Sequence, residues 1–364
     1  MKKGMDQVTL DFIQNGAAQG PVAQKLLASG MNINVLKPWI GTNGRSYITM
    51  NVNGVPTAIP IANAATLRKD EWKQLDTAIL FAAQQRLIGV KDLYARNLVF
   101  RLGNGLGTTV LEYEDLNEFT AAELTMDAIT RTRKDRPEFD LKYLPLPIAH
   151  KDFSFNIRTL TASRNGGSNL DTTAAAMASR VVAEKIEDML FNGASSYTYG
   201  GGTIYGYIDH PNNNDVTLSL AWDNASKTGE QIVDDVKSMK QASIDAMHHG
   251  PWVLYVPTAY ETVLDDDFKA ASDKTVRARI KYNPTTGEGI SGIEEIKVAD
   301  KLPANTVVLV EMNSETVRMV EGMAITTVEW QEGGGFTTNY KVMTIMVPQI
   351  RADQNGHCGV TVLS

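Results

Sequence analysis

The chain of 364 residues reads as an α+β protein, and three observations carry that class. Two stretches, 171–190 and 229–247, space their apolar residues as amphipathic helices do. From residue 306 onward the text is mainly strand-like: "TVVLV" (306–310), "TVRMV" (316–320), "AITTVEW" (324–330) and "NYKVMTIMVPQIRA" (339–352). Helices and strands are segregated and lack the regular βαβ alternation of a doubly wound fold. No internal repeat is visible.

Composition bounds the class further. Charged residues make up 21% and hydrophobic ones 43%, an ordinary globular balance with length enough for one large or two ordinary domains. Lys+Arg 35 against Asp+Glu 42 leaves a net charge of −7, which argues against coating nucleic acid by bulk charge but leaves a local basic patch open. The single cysteine, Cys358, excludes an internal disulfide and suits a reducing compartment. "MKKGMDQ" opens no apolar run fit for a signal peptide or a membrane span, so a soluble chain made in the cytoplasm is expected.

Short helices are expected at 6–15 and 20–29, the second with Val22, Leu26 and Leu27 on one face. Residues 31–65 are rich in Asn, Gly, Pro and β-branched residues. Tyr47 to Val52 alternates like a strand, and Asn53-Gly54 signals a hairpin turn. With too few apolar residues for a core of its own, this segment is expected to lie across another surface, as an arm.

The pattern changes at Thr66. Leu67, Trp72, Leu75, Ile79, Ala82 and Leu87 fall at helical spacing, with Asp70 as N-cap and Gly89 as the stop. Residues 108–116 and 139–157 read as extended. Between them lies a polar excursion ending in "RTRKDR", with Arg131, Arg133 and Arg136. The whole is a long two-stranded loop with a charged tip, and loops of such length usually reach something.

Asp171 or Thr172 caps the helix at 171–190. Its stripe is Ala175, Ala178, Val182, Ile186 and Met189, and twenty helical residues span roughly 30 Å. A glycine-rich turn, "YGGGTIYGYIDHPNNN", follows. The helix at 229–247 uses Ile232, Val236, Met239, Ser243 and Met247 and stops at His248-His249-Gly250-Pro251. The strand "WVLYV" comes at once, then a short helix at 258–265.

No constellation reads as an active site. None of the five histidines, His150, His210, His248, His249 and His357, stands in a zinc-binding spacing. His248-His249 closes a helix, where a cation complements the dipole. His357 and Cys358 are neighbours in an extended segment and face opposite sides, so the thiol is expected to be passive. "GNGLG" (103–107) lacks the Lys-Ser/Thr of a phosphate loop and a helix behind it; it and the triple glycines at 200–202 and 333–335 read as turns. Asp265-Asp266-Asp267 diverge at a helix end and read as a solvated edge. Glu294-Glu295, flanked by Ile293 and Ile296, reads as a strand entry. No cofactor and no metal is expected.

Several stretches together resemble one family, the tailed-phage major capsid proteins and their relatives, the encapsulin shell proteins. "LRKDEWKQLDTAILFAAQQRLIGVKDL" (67–93) is similar to the helix that precedes the long loop in encapsulins. "LPLPIAHKDFSFNIRTLTASRNGGSNLDTTAAAMASRVVAEKIEDMLFNG" (144–193) resembles the return strand and spine helix. "YGYIDHP" (205–211), "HHGPWVLYVPTAYETVL" (248–264), "KVADKLPANTVVLVEM" and the long run from Val317 resemble the entry and core of the axial domain and its closing strands. The resemblance covers residues 66–364. It implies the Hong Kong 97-type fold: an N-terminal arm (1–65), an amphipathic helix region (66–100), an extended loop overlapping a neighbour (101–147), a peripheral domain (148–204 and 321–364, spine helix 171–190) and an axial domain (205–320).

The resemblance implies no enzyme but a shell subunit that assembles with itself into pentamers and hexamers. Portal, scaffold or decoration proteins are implied partners, with packaged double-stranded DNA in the interior and no membrane. The implied location is the virion, after synthesis in the host cytoplasm. The candidate assembly residues are Trp72, Leu75, Ile79, Arg131, Arg133, Arg136, Ala175, Ala178, Val182 and Ile186. Residues 1–65 precede the first family helix and favour a viral capsid over the alternative, an encapsulin compartment enclosing cargo enzymes. Lys134 and Lys142 match no cross-linking motif.

Overall fold

A computed structural model describes residues 39–40, 46–52, 55–60, 88–116, 124, 126, 139–156, 158, 173–269, 272–332, 336–353 and 355–364. In chain order the strands β1 (Trp39–Ile40), β2 (Ser46–Val52) and β3 (Val55–Pro60) precede helix α1 (Ile88–Ala95) and β4 (Val99–Arg101). Next come β5 (Val110–Leu116), β6 (Phe139–Pro145), β7 (Ala149–Asn156), helix α2 (Thr173–Asn192), β8 (Ala194–Tyr199), β9 (Gly202–Ile204) and β10 (Asn214–Val216). Helix α3 (Gly229–Asp245), β11 (Trp252–Val256), a 3-10 turn (Thr258–Tyr260), α4 (Glu261–Asp265) and α5 (Val276–Ile280) lead to the closing strands. These are β12 (Ile293–Val298), β13 (Val307–Glu311), β14 (Val317–Glu332), β15 (Thr337–Ile350) and β16 (Val360–Leu363). The helices expected at 6–15, 20–29 and 67–87, the "RTRKDR" segment and the glycines at 333–335 lie outside the described residues.

The chain divides into two compact units, 1–82 with 152–179 and 327–342, and 83–151 with 180–326 and 343–364. In the first, β2 pairs antiparallel with β3 and Val52 stands opposite Val55, the hairpin that Asn53-Gly54 signals. Phe153 and Phe155, two apart on β7 and so on one face, both meet the ring of Tyr340, at 5.2 and 5.7 Å.

The second unit is built on a sheet of order β10-β16-β13-β11-β12. β11 has no charged residue and is buried at every position, so it must be covered on both faces. One face carries Trp252, Leu254 and Val256 into a core with Val307 and Leu309 of β13 and Ile232, Val236 and Met239 of α3. A capping box starts α3: Gln231 N–H donates to Thr228 Oγ1 at 3.3 Å, and Thr228 N–H to Gln231 Oε1 at 3.0 Å. Met247, expected on the buried stripe of α3, is 69% exposed. The helix ends at Asp245, and Met247 sits at φ 64, so the chain has already turned away.

Tyr255, on the other face of β11, meets Phe191 at 5.2 Å and Tyr207 at 6.2 Å. Phe191 lies at the end of α2, where the last carbonyls need donors. Tyr207 N–H bonds Leu190 O and Ile208 N–H bonds Phe191 O, at 2.9 and 3.0 Å. Gly193, at φ 71, ends this helix, and a Cβ there would lie 2.3 Å from the Asp209 carboxyl.

The other large sheet has the order β4-β14-β15-β7. The stretches expected as strands at 316–320 and 324–330 are one strand, because Gly322 does not break it: β4 pairs at Met319–Glu321 and the ladder continues. Gly322 serves close approach instead. A Cβ on Gly105 would lie 2.0 Å from the Gly322 carbonyl oxygen, so the 103–107 turn rests directly on the strand. The last strand, β16, expected with residues 321–364, is hydrogen-bonded between β10 and β13. Gly89, expected as a helix stop, lies inside the first turn of α1, where glycine allows Leu190 to approach: a Cβ would lie 2.8 Å from its Cδ2.

The contrast between two methionines tests this packing. Met239→Ala is expected to cost about 2–5 kcal/mol and Met247→Ala less than about 0.5 kcal/mol, read by denaturant unfolding of the purified chain.

Candidate assembly surface

A two-stranded ribbon in the second unit carries much of its exposed surface. β5 and β6 pair from Val110↔Pro145 to Leu116↔Phe139. At its base Leu111, Tyr113, Leu144 and Leu146 pack with Met189, Ile204, Val320, Ile345 and Val347. Farther along, Glu112, Glu114, Asp140 and Lys142 are exposed and Leu141 is 42% exposed. Lys142 pairs with Asp140 at 2.8 Å. The β8–β9 hairpin lies beside this ribbon. Gly202 makes that possible, since a Cβ there would lie 2.1 Å from the Tyr143 carbonyl oxygen. Its outer residues Tyr197 and Tyr199 are about half exposed, as is nearby Ile148, so apolar area lies open to a partner.

On α2 the stripe Ala175, Ala178, Val182 and Ile186 is buried inside the chain. At 0–5% exposed, these candidate contact residues pack within their own chain. The residues one turn apart on the outer face, Met177 and Val181, are 55% and 45% exposed. The apolar pair at i and i+4 outside the stripe was the signal in the sequence. The other candidates, Trp72, Leu75, Ile79, Arg131, Arg133 and Arg136, lie outside the described residues.

Beneath the surface runs a set of buried polar groups. Glu187 on α2 accepts the N–H groups of Gly89 at 2.6 Å and Val90 at 3.3 Å, so its carboxyl takes the open donors of the first turn of α1. Burial pushes its pKa up to about 7 against the pull of those donors, with nearby Asp92 adding to the rise. Asp92 accepts the Tyr255 hydroxyl at 2.8 Å and pairs with Lys297. Burial lowers the Lys297 value, but bonds to Asp92 and Glu295 outweigh it and hold the ammonium above its ordinary range.

The histidines are held structurally. His248 bonds Glu311, whose other oxygen accepts the N–H groups of His249 and Gly250 at 3.2 and 2.9 Å. Burial raises the Glu311 value, yet His248 and the other donors bring it below the ordinary range. Burial, with Lys142 nearby, drops His210 to about 4. His357 pairs with Asp353 at 2.7 Å while Cys358 is fully buried and its thiol is pushed up to about 11, the passive thiol expected. Asp265 pairs with Arg277 at 2.8 Å. Among the described residues no three His, Cys, Asp or Glu gather as metal ligands, and no helix is long and apolar enough to cross a membrane.

Comparison with known proteins gives three findings. Residues 62–362 match a family described as a family of unknown function (DUF6260). A type 1 encapsulin shell protein, EncA of Myxococcus xanthus (strain DK1622), is 25% identical over 203 residues, 53% of this chain and 62% of that protein, so under two thirds of the relative's length is spanned. Among solved structures, the virus-like particle from Pyrococcus furiosus superposes with a TM-score of 0.57 at 18% identity, covering 80% of this chain and 99% of that one. The capsid of Myoviridae phage XM1 gives 0.57 at 11%, covering 75% and 91%; the capsid of the native GTA particle gives 0.52 at 11%, covering 74% and 88%. These likenesses show the Hong Kong 97-type fold that the sequence resemblance implies.

The buried carboxyl makes a pH prediction. Glu187 titrates near 7 when folded and near 4.5 when unfolded, so between those values the folded chain holds the extra proton. The contribution of Glu187 to stability is therefore full below about 4.5 and is lost as pH rises through about 7, on the order of 3 kcal/mol. Glu187→Gln, which keeps an acceptor for Gly89, is expected to flatten that slope in denaturant titrations at graded pH.

Proposed function

The chain belongs to the family of unknown function DUF6260, and from that footing we propose that it is a major capsid protein, assembling into the icosahedral shell around the genome of a tailed bacteriophage. The observation that carries this reading is the superposition on shell subunits from end to end, 99% of the Pyrococcus furiosus chain and 91% of the phage XM1 chain. The exposed ribbon supports it. A two-stranded ribbon is marginal alone, and one with Glu112, Glu114 and Leu141 open to solvent offers surface to a neighbour. Many weak contacts per subunit, multiplied by symmetry, hold a closed shell.

Residues 1–65 then act as the arm, 66–100 as the helix region and 101–147 as the extended loop. Residues 148–204 and 321–364 act as the peripheral domain, except that β16 joins the sheet of the axial domain, 205–320. The subunit performs no catalytic step. Its partners are its own copies, a portal, scaffold or decoration proteins, and the enclosed double-stranded DNA; its place is the virion, after assembly in the host cytoplasm. An acidic chain suits an interior that does not grip packaged DNA. The second reading, an encapsulin compartment, is favoured by the encapsulin relative. Against it stands the stretch of 61 residues ahead of the family match, which begins at 62.

Expression of the full chain, imaged by negative stain, is expected to yield closed hollow particles of uniform diameter. A monodisperse compact monomer under all salt and concentration conditions overturns the shell reading. A single band of subunit mass on a denaturing gel is expected, since neither Lys134 nor Lys142 matches a cross-linking motif.

A further inference from the structure

One cluster of charge in the second unit has no counter-ion. The backbone bond from Arg351 N–H to Thr316 O, 2.8 Å, aligns the start of β14 with the end of β15. Arg318 Nε donates to Gln349 Oε1 at 2.5 Å, so Arg318, Gln349 and Arg351 share one face of the sheet. Arg318 also lies over the ring of Phe100, 4.6 Å from its centroid. No carboxylate pairs with either guanidinium among the described residues, although Arg351 stands close enough to Arg318 to depress its pKa, after burial.

Two further donors point the same way. Gln349 is 1% exposed, its carbonyl is committed to Arg318, and its Nε2 has no acceptor. Arg351 Nε is likewise buried without one. Buried donors are normally satisfied, and each exception asks what satisfies it. The guanidiniums remain partly open to solvent, so an incoming acceptor meets them first.

We propose that Arg318, Arg351 and Gln349 form a carboxylate-binding site, filled by Glu112 and Glu114 of a second copy of this chain. The inference rests on the shell reading and deepens it. Glu112 and Glu114 are exposed, lie two apart on β5 and therefore face one side, and pair with no cation among the described residues. Two residues along a strand are about 7 Å apart. Diagonal neighbours on paired strands, the relation between Arg318 and Arg351, are about 7–8 Å apart. Two carboxylates therefore match two guanidiniums in spacing, each a planar fork suited to an acceptor-only partner.

Within one chain the match cannot close. Tyr113, between the two glutamates, packs into the core under the ribbon and lies within electrostatic reach of Arg318, so Glu112 and Glu114 point to the opposite side. Donor and acceptor patches are thus different surfaces, and such head-to-tail contacts generate rings. With a net charge of −7, copies repel unless local opposite charges meet.

The test uses the full chain and a charge exchange. Arg351→Glu and Glu114→Arg are each expected to raise the concentration needed for half assembly at least about tenfold, and the double variant to return it within about threefold of wild type. Assembly is read by sedimentation velocity, and folding of each variant by thermal unfolding. If Arg351→Glu does not fold, a cycle of Arg351→Ala with Glu114→Ala replaces it, with less-than-additive loss expected. Singles that assemble like wild type, a double no better than the worse single, or additive alanine losses overturn the site while leaving the shell reading intact. So does an Arg351→Glu variant that assembles normally but loses bound nucleic acid, which would make phosphate the ligand. A wild-type chain that never assembles removes both.

Discussion

The second unit is organised by a strand with no polar face. Trp252 to Val256 is buried at every position, so the sheet that contains it must be covered on both sides. On one side that cover is α3 and the short helices α4 and α5, which bring Leu264, Val276 and Ile280 onto Trp252, Leu254 and Val256. On the other side the demand falls on Tyr255, whose ring is covered by Phe191 and Tyr207 and whose hydroxyl needs an acceptor in a dry place. Asp92 supplies it, and Asp92 in turn needs Lys297. One buried tyrosine thereby fixes α1, the end of α2 and β12 together. The Glu187 carboxyl on the open end of α1 follows from the same arrangement.

The ribbon depends on that fixed base. Leu111, Leu144 and Leu146 are held by Val320, Ile345 and Val347, and each buried aliphatic side chain contributes about 1.5–3 kcal/mol. Farther out, Glu112, Glu114 and Leu141 meet water. A chain selected to stand alone would shorten or cover such an element. Its persistence makes sense where the stabilisation comes from another copy, and a rigid base is then needed to aim the ribbon.

Local signals read well from the sequence. Ile232, Val236 and Met239 repeat at helical spacing, and Asn53-Gly54 joins two strands. Each involves residues within a few positions of one another. What the sequence concealed depends on long separation. Glu187 caps a turn 98 residues away, and no pattern around either site announces it. Gly89 reads as a helix stop by its lack of a side chain, while the structure uses that lack to admit Leu190. The facing of Arg318 and Arg351 depends on the register of two long strands, which periodicity within either strand does not set. Ala175 and Ile186 were rightly placed on one stripe, but whether a stripe faces the chain or a neighbour is a tertiary fact.

A displaced carboxyl pKa is ordinarily a pointer to catalysis, since active sites are where burial and charge are set against each other. Glu187 lines a small pocket with Ile88, Glu184, Asp300 and Lys301, which sharpens the question. Its geometry gives it a structural task. Oε1 accepts the Gly89 N–H and Oε2 the Val90 N–H, so the carboxyl ties α2 to the first turn of α1. Each carboxylate oxygen keeps a second lone pair, so these bonds orient the carboxyl while leaving it able to take the proton it holds below about pH 7. His248 is tied through its Nδ1 to Glu311, and the Cys358 thiol is buried and protonated. Glu187 and Glu311 thus tie elements of the fold together from within, while the acidic ribbon and the outer face of α2 carry charge and apolar area that the core leaves unused.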